Sequence, residues 1–267
     1  MRRVEATGCQ GAVLYRLHRL ATLSDADVAA VTRSMAFTRR AVARRDLVAE
    51  RSPNGEARML ISGWAALSRI MMDGRRQILD LVLPGEIVGR RPLSGIASLT
   101  TVSAITDVEF GPVVDPVPDD ADSGLARAYA VDNALHEHYL YRQIARIGRL
   151  NAYERMIDWF LELQERLELC GLCTANGFTF PVTQEMLADA LGLTGVHVNR
   201  TLQVLRKDGI LEVRDGHVRL PSIRELVDLV AYESAGTVLG LPGLRPSWET
   251  GDAGAPPLSA PARIWSA

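Results

Sequence analysis

Between Thr183 and Leu220 the chain reads TQEMLADALGLTGVHVNRTLQVLRKDGILEVRDGHVRL, and its side chains suit nucleic acid rather than catalysis. From Thr194 to Lys207 there are three basic side chains, Arg200, Arg206 and Lys207, and no acidic one. Arg and Asn present paired donors and acceptors that match base edges, whereas Lys and Thr suit phosphates. The candidate DNA contacts are Thr183, Thr194, Val196, His197, Asn199, Arg200, Gln203, Lys207 and Arg214. Bulk charge adds nothing, because five basic residues balance five acidic ones from Thr183 to Leu220. A helical pair with a solvated polar face would share this pattern, so the reading rests on which residues the outer stripe carries.

Local signals define the elements that must hold those residues. Thr183 caps a first helix whose Leu187, Ala190 and Leu191 recur at helical spacing, and Gly192 ends it. Thr194 caps a second helix with Val198, Leu202 and Leu205 as its expected buried stripe and Val196, Arg200, Gln203 and Lys207 opposite. Strand-like runs at Ile210–Arg214 and His217–Leu220 flank Asp215-Gly216, a strong hairpin signal. The spacing predicts a winged helix-turn-helix.

Upstream, residues 1 to about 18 show no clear pattern, and Ser24 caps a short helix to Arg33. Strand-like segments follow at Ala57–Ser62, Trp64–Met71 and Arg75–Leu83. From Thr101 to Phe110 the chain alternates, with Val102, Ala104, Val108 and Phe110 on one face. This predicts an antiparallel barrel or jelly roll. After Pro112, Pro116 and Pro118, an acidic cap at Asp119, Asp120 and Asp122 opens a helix without Gly or Pro from about Leu125 to Ile147. Ala130, Ala134, Tyr141 and Ile144, with Leu140 and Ile147 adjacent, form a heptad-compatible seam that a second copy would cover. A further helix is predicted from about Asn151 to Leu169.

With 267 residues, 47% hydrophobic and 23% charged, the chain has room for two globular domains. A net charge of −2 means that nucleic-acid affinity must come from a local patch. No apolar run suits a membrane span, the start lacks a signal-peptide core, and three cysteines make no disulfide framework. These features predict a cytoplasmic protein with no membrane partner.

The order β-roll, long helix, winged helix-turn-helix resembles the CRP/FNR family of bacterial transcription regulators from about residue 20 to 232. The likeness is carried by Asp73-Gly74-Arg75-Arg76-Gln77-Ile78, Leu83-Pro84-Gly85-Glu86-Ile87-Val88-Gly89 and Ala104-Ile105-Thr106-Asp107-Val108. In the C-terminal part it is carried by Leu187–Thr194, Val198-Asn199-Arg200 and Leu205. The resemblance implies an α+β chain with a cyclic-nucleotide-binding-like β-roll over 19–118, a dimerisation helix over 119–148 and a DNA-binding domain over 149–234. The Gly-, Pro-, Ala- and Ser-rich residues 235–267 are expected to be a disordered tail. It further implies a homodimer on a pseudo-palindromic operator, RNA polymerase as a partner, no enzymatic activity, no cofactor, and an unknown small-molecule effector.

Two departures narrow this expectation. Cyclic-nucleotide sensors of the family place an Arg and a Ser or Thr on the phosphate, but the matching positions here are Ser98 and Leu99, although Gly85 and Glu86 remain. Losing that charge-assisted contact removes about 1.5–3 kcal/mol, so cyclic AMP is not the expected effector. Gly85, Glu86, Ser98 and Leu99 mark the candidate effector pocket, with Glu86 read as a turn carboxylate. Many members also carry a glutamate where this chain has Val196, which predicts a different operator.

Other constellations read as structural. Cys170-Gly171-Leu172-Cys173 has no second ligand pair nearby, and Cys9 stands alone, without the N-terminal cysteine cluster of iron–sulfur members. His136 and His138 fall on nearly opposite faces of one helix. Trp64, Trp159, Met59, Met71 and Met72 are expected in the core. Two further readings remain open at this point, an adaptor using protein contacts alone and a redox enzyme using Cys170 and Cys173.

Overall fold

A computed structural model describes residues 9–50, 57–89, 98–116 and 123–251. The chain opens with α1 (Cys9–Leu20) and α2 (Asp25–Ser34). Then come β1 (Arg39–Ala41), β2 (Asp46–Val48), β3 (Arg58–Ser62), β4 (Ala65–Ile70), β5 (Arg76–Val82), β6 (Ile87–Val88), β7 (Thr101–Ala104) and β8 (Val108–Pro112). Two long helices, α3 (Gly124–Arg149) and α4 (Ala152–Leu169), lead into β9 (Cys173–Thr174), β10 (Gly177–Thr179), α5 (Gln184–Leu191), α6 (Gly195–Lys207), β11 (Glu212–Arg214) and β12 (His217–Arg219). The described chain closes with α7 (Ile223–Val230), α8 (Ala235–Val238) and α9 (Ser247–Thr250).

Among the described residues, antiparallel strands in the orders β1-β8-β3-β6 and β2-β7-β4-β5 face each other as a β-roll. Leu60, Val82, Val102, Ala104, Val108 and Phe110 fill the space between them. The alternation read over Thr101–Phe110 is therefore real, but it spans two strands. The chain turns at Ile105–Asp107, where Thr106 Oγ1 accepts from Trp64 N at 3.0 Å and Asp107 Oδ1 accepts from Ala43 N at 2.9 Å.

Local caps set the helix starts. Ser24 and Asp27 form a capping box on α2, and Asn151 and Glu154 form one on α4. Ser123 caps α3; the acidic cap expected at Asp119, Asp120 and Asp122 lies outside the described residues.

α4 is buried on nearly every face and joins the two halves of the molecule. Its Trp159 and Phe160 share one core with Trp64, Ile78 and Leu81 of the β-roll and with Phe180, Leu187 and Leu205 of the C-terminal part. Trp64 and Trp159 both meet the Phe180 ring edge-on, at centroid distances of 6.3 and 6.0 Å.

Three expectations need correction. Residues 1–8 lie outside the described chain, but residues 9–18 are not patternless: α1 buries Val13, Arg16 and Leu17. Residues 235–251, expected to be a disordered tail, are folded: Ala235 and Leu244 are buried beside α1 and α3, and Glu168 accepts from Ser247 N at 2.8 Å. A few apolar side chains landing on an existing core overcame a composition that reads as tail. Residues 252–267 lie outside the described chain. Met71 and Met72 are exposed at the tip of the β4–β5 hairpin, whereas Met59, Trp64 and Trp159 are buried as expected.

Candidate nucleic-acid interface

Thr183 and Thr194 cap α5 and α6 through their hydroxyls, accepting from Met186 N at 3.2 Å and His197 N at 3.3 Å. Gly192 takes the left-handed conformation that turns the chain between them, with φ of 63°. On α6 the buried positions are Val198, Thr201 and Leu205; Leu202, expected among them, is half-buried. Thr201 tolerates burial because its Oγ1 donates to His197 O at 2.9 Å.

That packing turns one face of α6 fully outward. Val196 is 82% exposed, and His197, Asn199, Arg200, Gln203 and Lys207 are exposed beside it. Gln203 Nε2 donates to Asn199 Oδ1 at 2.8 Å, and Asn199 Nδ2 donates to Gln184 Oε1 at 3.3 Å. This chain of amides orders the face and brings in Gln184 of α5, a residue the sequence reading missed. Lys207 sits at the far end of α6, apart from that cluster.

The wing is β11–β12. Asp215 and Gly216 both have positive φ, 49° and 71°, as a two-residue turn of the I′ type requires. Arg214 is exposed and lies 3.3 Å from Asp215. His217 and Arg219 are also exposed, on either side of buried Val218. The period of two around Val218 was the signal that could have added them.

The candidate effector residues converge on a cavity of about 340 Å³, bordered by Glu86, Ser98 and Leu99. Gly85 is not among its lining residues, but its missing side chain matters, since a Cβ would lie 2.7 Å from Arg16 Cδ. Glu86 accepts from Leu83 N at 2.9 Å, as a turn carboxylate should. It is more than that, because buried Arg166 of α4 donates to it at 2.7 Å and to Asp80 at 2.6 Å. Arg166 also pairs with Glu162, which Arg146 of α3 binds in turn, and Arg146 and Arg142 share Asp158. Burial pushes the Asp80 carboxyl up, against the pull of Arg166, whereas Arg166 and Arg16 outweigh the desolvation of Glu86 and hold it down. The Ser98 hydroxyl is engaged by its own turn, donating to Thr100 O at 2.8 Å, and Leu99 is exposed.

His136 borders the same cavity, with Nδ1 3.6 Å from Asp80 Oδ2. Burial lowers His138, half-buried on another face of α3. Cys170 is buried and donates to Pro84 O at 2.9 Å, and burial pushes its thiol up to about 12. A thiol held neutral in this way is a poor nucleophile. Among the described residues, no group of three or more His, Cys, Asp or Glu could hold a metal, and no helix is long and apolar enough to cross a membrane.

Comparison with known proteins joins these two regions. Residues 154–229 match the Crp-like helix-turn-helix domain and residues 38–111 the cyclic nucleotide-binding domain, in that order along one chain. The chain belongs to the CRP/FNR family. It is 29% identical over 195 residues to the transcriptional activator protein FnrL of Cereibacter sphaeroides, covering 68% of this chain and 75% of that one. It is 28% identical over 176 residues to the nitrogen fixation regulation protein FixK of Azorhizobium caulinodans, covering 63% and 66%. FixK2 from Bradyrhizobium japonicum has a similar structure, with a TM-score of 0.61, 25% identity and coverage of 74% of this chain and 98% of that one. As a CRP/FNR regulator the protein is a DNA-binding transcription factor of mixed α+β architecture, and the adaptor alternative has no support.

Proposed function

We propose that the protein works as a homodimer on a pseudo-palindromic operator and acts by binding rather than catalysis. Each α6 lies in a major groove, with the two half-sites roughly one helical turn apart. The observation that carries this reading is the outward face of α6, where Val196, Asn199, Arg200 and Gln203 are exposed beside a wing bearing Arg214 and Arg219. Arg200 reads guanine, Asn199 reads adenine, and Val196 packs on a thymine methyl. Thr183, Thr194, His197, Lys207 and Arg214 serve the backbone.

The dimer forms along α3. Its inner face is buried through Leu125, Ala128, Leu135 and Tyr139, while Tyr141 and Ile144 are 63% and 69% exposed on the other side. Exposed apolar side chains at heptad-compatible spacing on a long helix favour a second copy as the cover.

The β-roll senses a small molecule other than cyclic AMP, since Ser98 and Leu99 offer no cation for a cyclic phosphate and Glu86 is already paired with Arg166. The relatives named as activators support an activating role, and we place that role in the cytoplasm with RNA polymerase as protein partner. Selection from a random duplex library tests the reading. One enriched motif with two-fold symmetry and an affinity that falls with salt is expected; no enriched motif refutes it.

A further inference from the structure

The cavity of about 340 Å³ is near the small end of the ligand-site range, roughly 300–1,000 Å³. Val48, Leu67, Val82, Val88 and Val102 make its walls apolar. Its polar residues include two that are almost wholly buried and incompletely bonded. Arg16 of α1 is 1% exposed, and its Nε and Nη1 have no hydrogen-bond partner. Tyr139 of α3 is 3% exposed, and its hydroxyl also has none. The Cys170 thiol beside Arg16 is a weak acceptor and already donates to Pro84 O. Buried donors are normally satisfied, and both residues line the same cavity, so a bound acceptor there would complete them.

The charges say what kind of acceptor. Arg16 Nη2 already has Asp132 at 2.8 Å and Glu86 at 3.7 Å, and Arg166 has Asp80 and Glu86. Among the described lining residues, the guanidiniums Arg16 and Arg166 are thus already matched by Asp132 and Glu86, with Asp80 and His136 paired beside them. A ligand anion would meet those carboxylates at close range in a medium that screens poorly. Among the described residues, what is missing is an acceptor for Arg16 Nε and Nη1 and for Tyr139 Oη, while negative charge is already present.

We propose that this cavity binds a small, neutral, largely apolar carbonyl compound whose oxygen accepts from Tyr139 Oη and from the unpartnered nitrogens of Arg16. Such a ligand bridges α1 and α3, and so biases the helix that carries the exposed Tyr141 and Ile144 stripe. This rests on reading the β-roll as the sensor and names the chemistry sensed.

Calorimetry and thermal shift on the full chain test it, with acetophenone as the neutral carbonyl probe. Ethylbenzene is the same skeleton without oxygen, benzoate supplies an anion, and cyclic AMP supplies the nucleotide. Acetophenone is expected to bind saturably, about tenfold tighter than ethylbenzene, with no saturable response to benzoate or cyclic AMP. Tyr139→Phe, which removes one oxygen and keeps the ring, is expected to weaken acetophenone about fivefold and leave ethylbenzene unchanged. Arg16→Met is expected to abolish the preference for the ketone. If that variant does not fold, Tyr139→Phe decides alone. Tighter binding of benzoate or cyclic AMP overturns the proposal. So does an unchanged ketone preference in Tyr139→Phe, or no response to acetophenone, 2-octanone or a small lactone, which would leave the donors to water. Operator selection run alongside separates the failures: a motif without ligand binding sinks the cavity proposal alone, and no motif sinks the operator reading.

Discussion

Arg76 on β5 holds Asp189 near the end of α5, with Nε and Nη2 each 2.8 Å from Asp189 Oδ2. Around it, Gln77 Nε2 donates to Asp189 O at 2.7 Å, Gln143 Nε2 of α3 to Ala190 O at 2.6 Å, and Arg155 Nη1 of α4 to Leu191 O at 2.7 Å. A helix leaves its last carbonyls without partners of its own. Here those of α5 are met by donors from the β-roll and both long helices. The first helix of the helix-turn-helix is thus oriented by the β-roll and the two long helices.

Arg76→Ala should therefore separate stability from DNA binding. The ion pair is partly exposed, so its loss should cost less than about 1 kcal/mol of folding stability. Operator affinity should fall by about 0.5–2 kcal/mol, because α5 and α6 lose a fixed seat. Urea denaturation and fluorescence anisotropy, run on the same preparation, measure the two. An unchanged operator affinity would remove the positioning role from Arg76.

Arg200→Ala should cost about 1–3 kcal/mol on the selected operator and relax the preference at one base position. Anisotropy titrations against the operator and its single-base variants give the pattern. A uniform loss on every sequence would reassign Arg200 to a phosphate.

Ile144→Asp should split the dimer. The side chain is 69% exposed in the single chain, so a carboxylate there costs the protomer little, but it would meet its own copy across a two-fold seam. Sedimentation should show monomers with unchanged helix content and an operator affinity reduced at least about a hundredfold. A stable dimer of the variant would move the interface elsewhere.

Glu165 should make stability pH-dependent. It is wholly buried, accepts from Tyr232 Oη at 2.6 Å and Ala235 N at 2.8 Å, and burial raises its carboxyl from an ordinary 4.5 to about 7. The folded state then holds a proton that the unfolded state has released. This group's stability contribution is greatest below pH 4.5 and declines as pH rises to 7, by up to about 3 kcal/mol. Glu165→Gln can donate to Tyr232 Oη and still accept from Ala235 N, so its advantage over the parent chain should grow from pH 5 to pH 8. Urea midpoints across that range check the sign; a constant difference would mean that Glu165 is ionised throughout.

What the sequence determined by itself was local. Thr183, Thr194, Ser24 and Asn151 announce helix starts, Gly192 a left-handed stop and Asp215-Gly216 a tight hairpin, because each signal acts through backbone groups within a few residues. Periodicity then placed Val196, Arg200 and Gln203 outside and Val198 and Leu205 inside. Thr201 in place of Leu202 is the kind of error that a stripe tens of degrees wide allows.

What only the tertiary structure decided was long-range. Arg16 finds Asp132 at a separation of 116 residues and Arg166 finds Glu86 at 80, so neither partner could be read from spacing. Glu86, a turn carboxylate by sequence, became one member of a buried charge network for that reason. The residues from Ala235 to Gly251 fold, despite their composition, because Ala235 and Leu244 meet a surface built by α1 and α3. Met71 and Met72 are exposed because a hairpin tip projects beyond any core. Local grammar specifies which elements form, but burial of charge depends on what the rest of the chain brings alongside, and the cavity of the β-roll is made of such encounters.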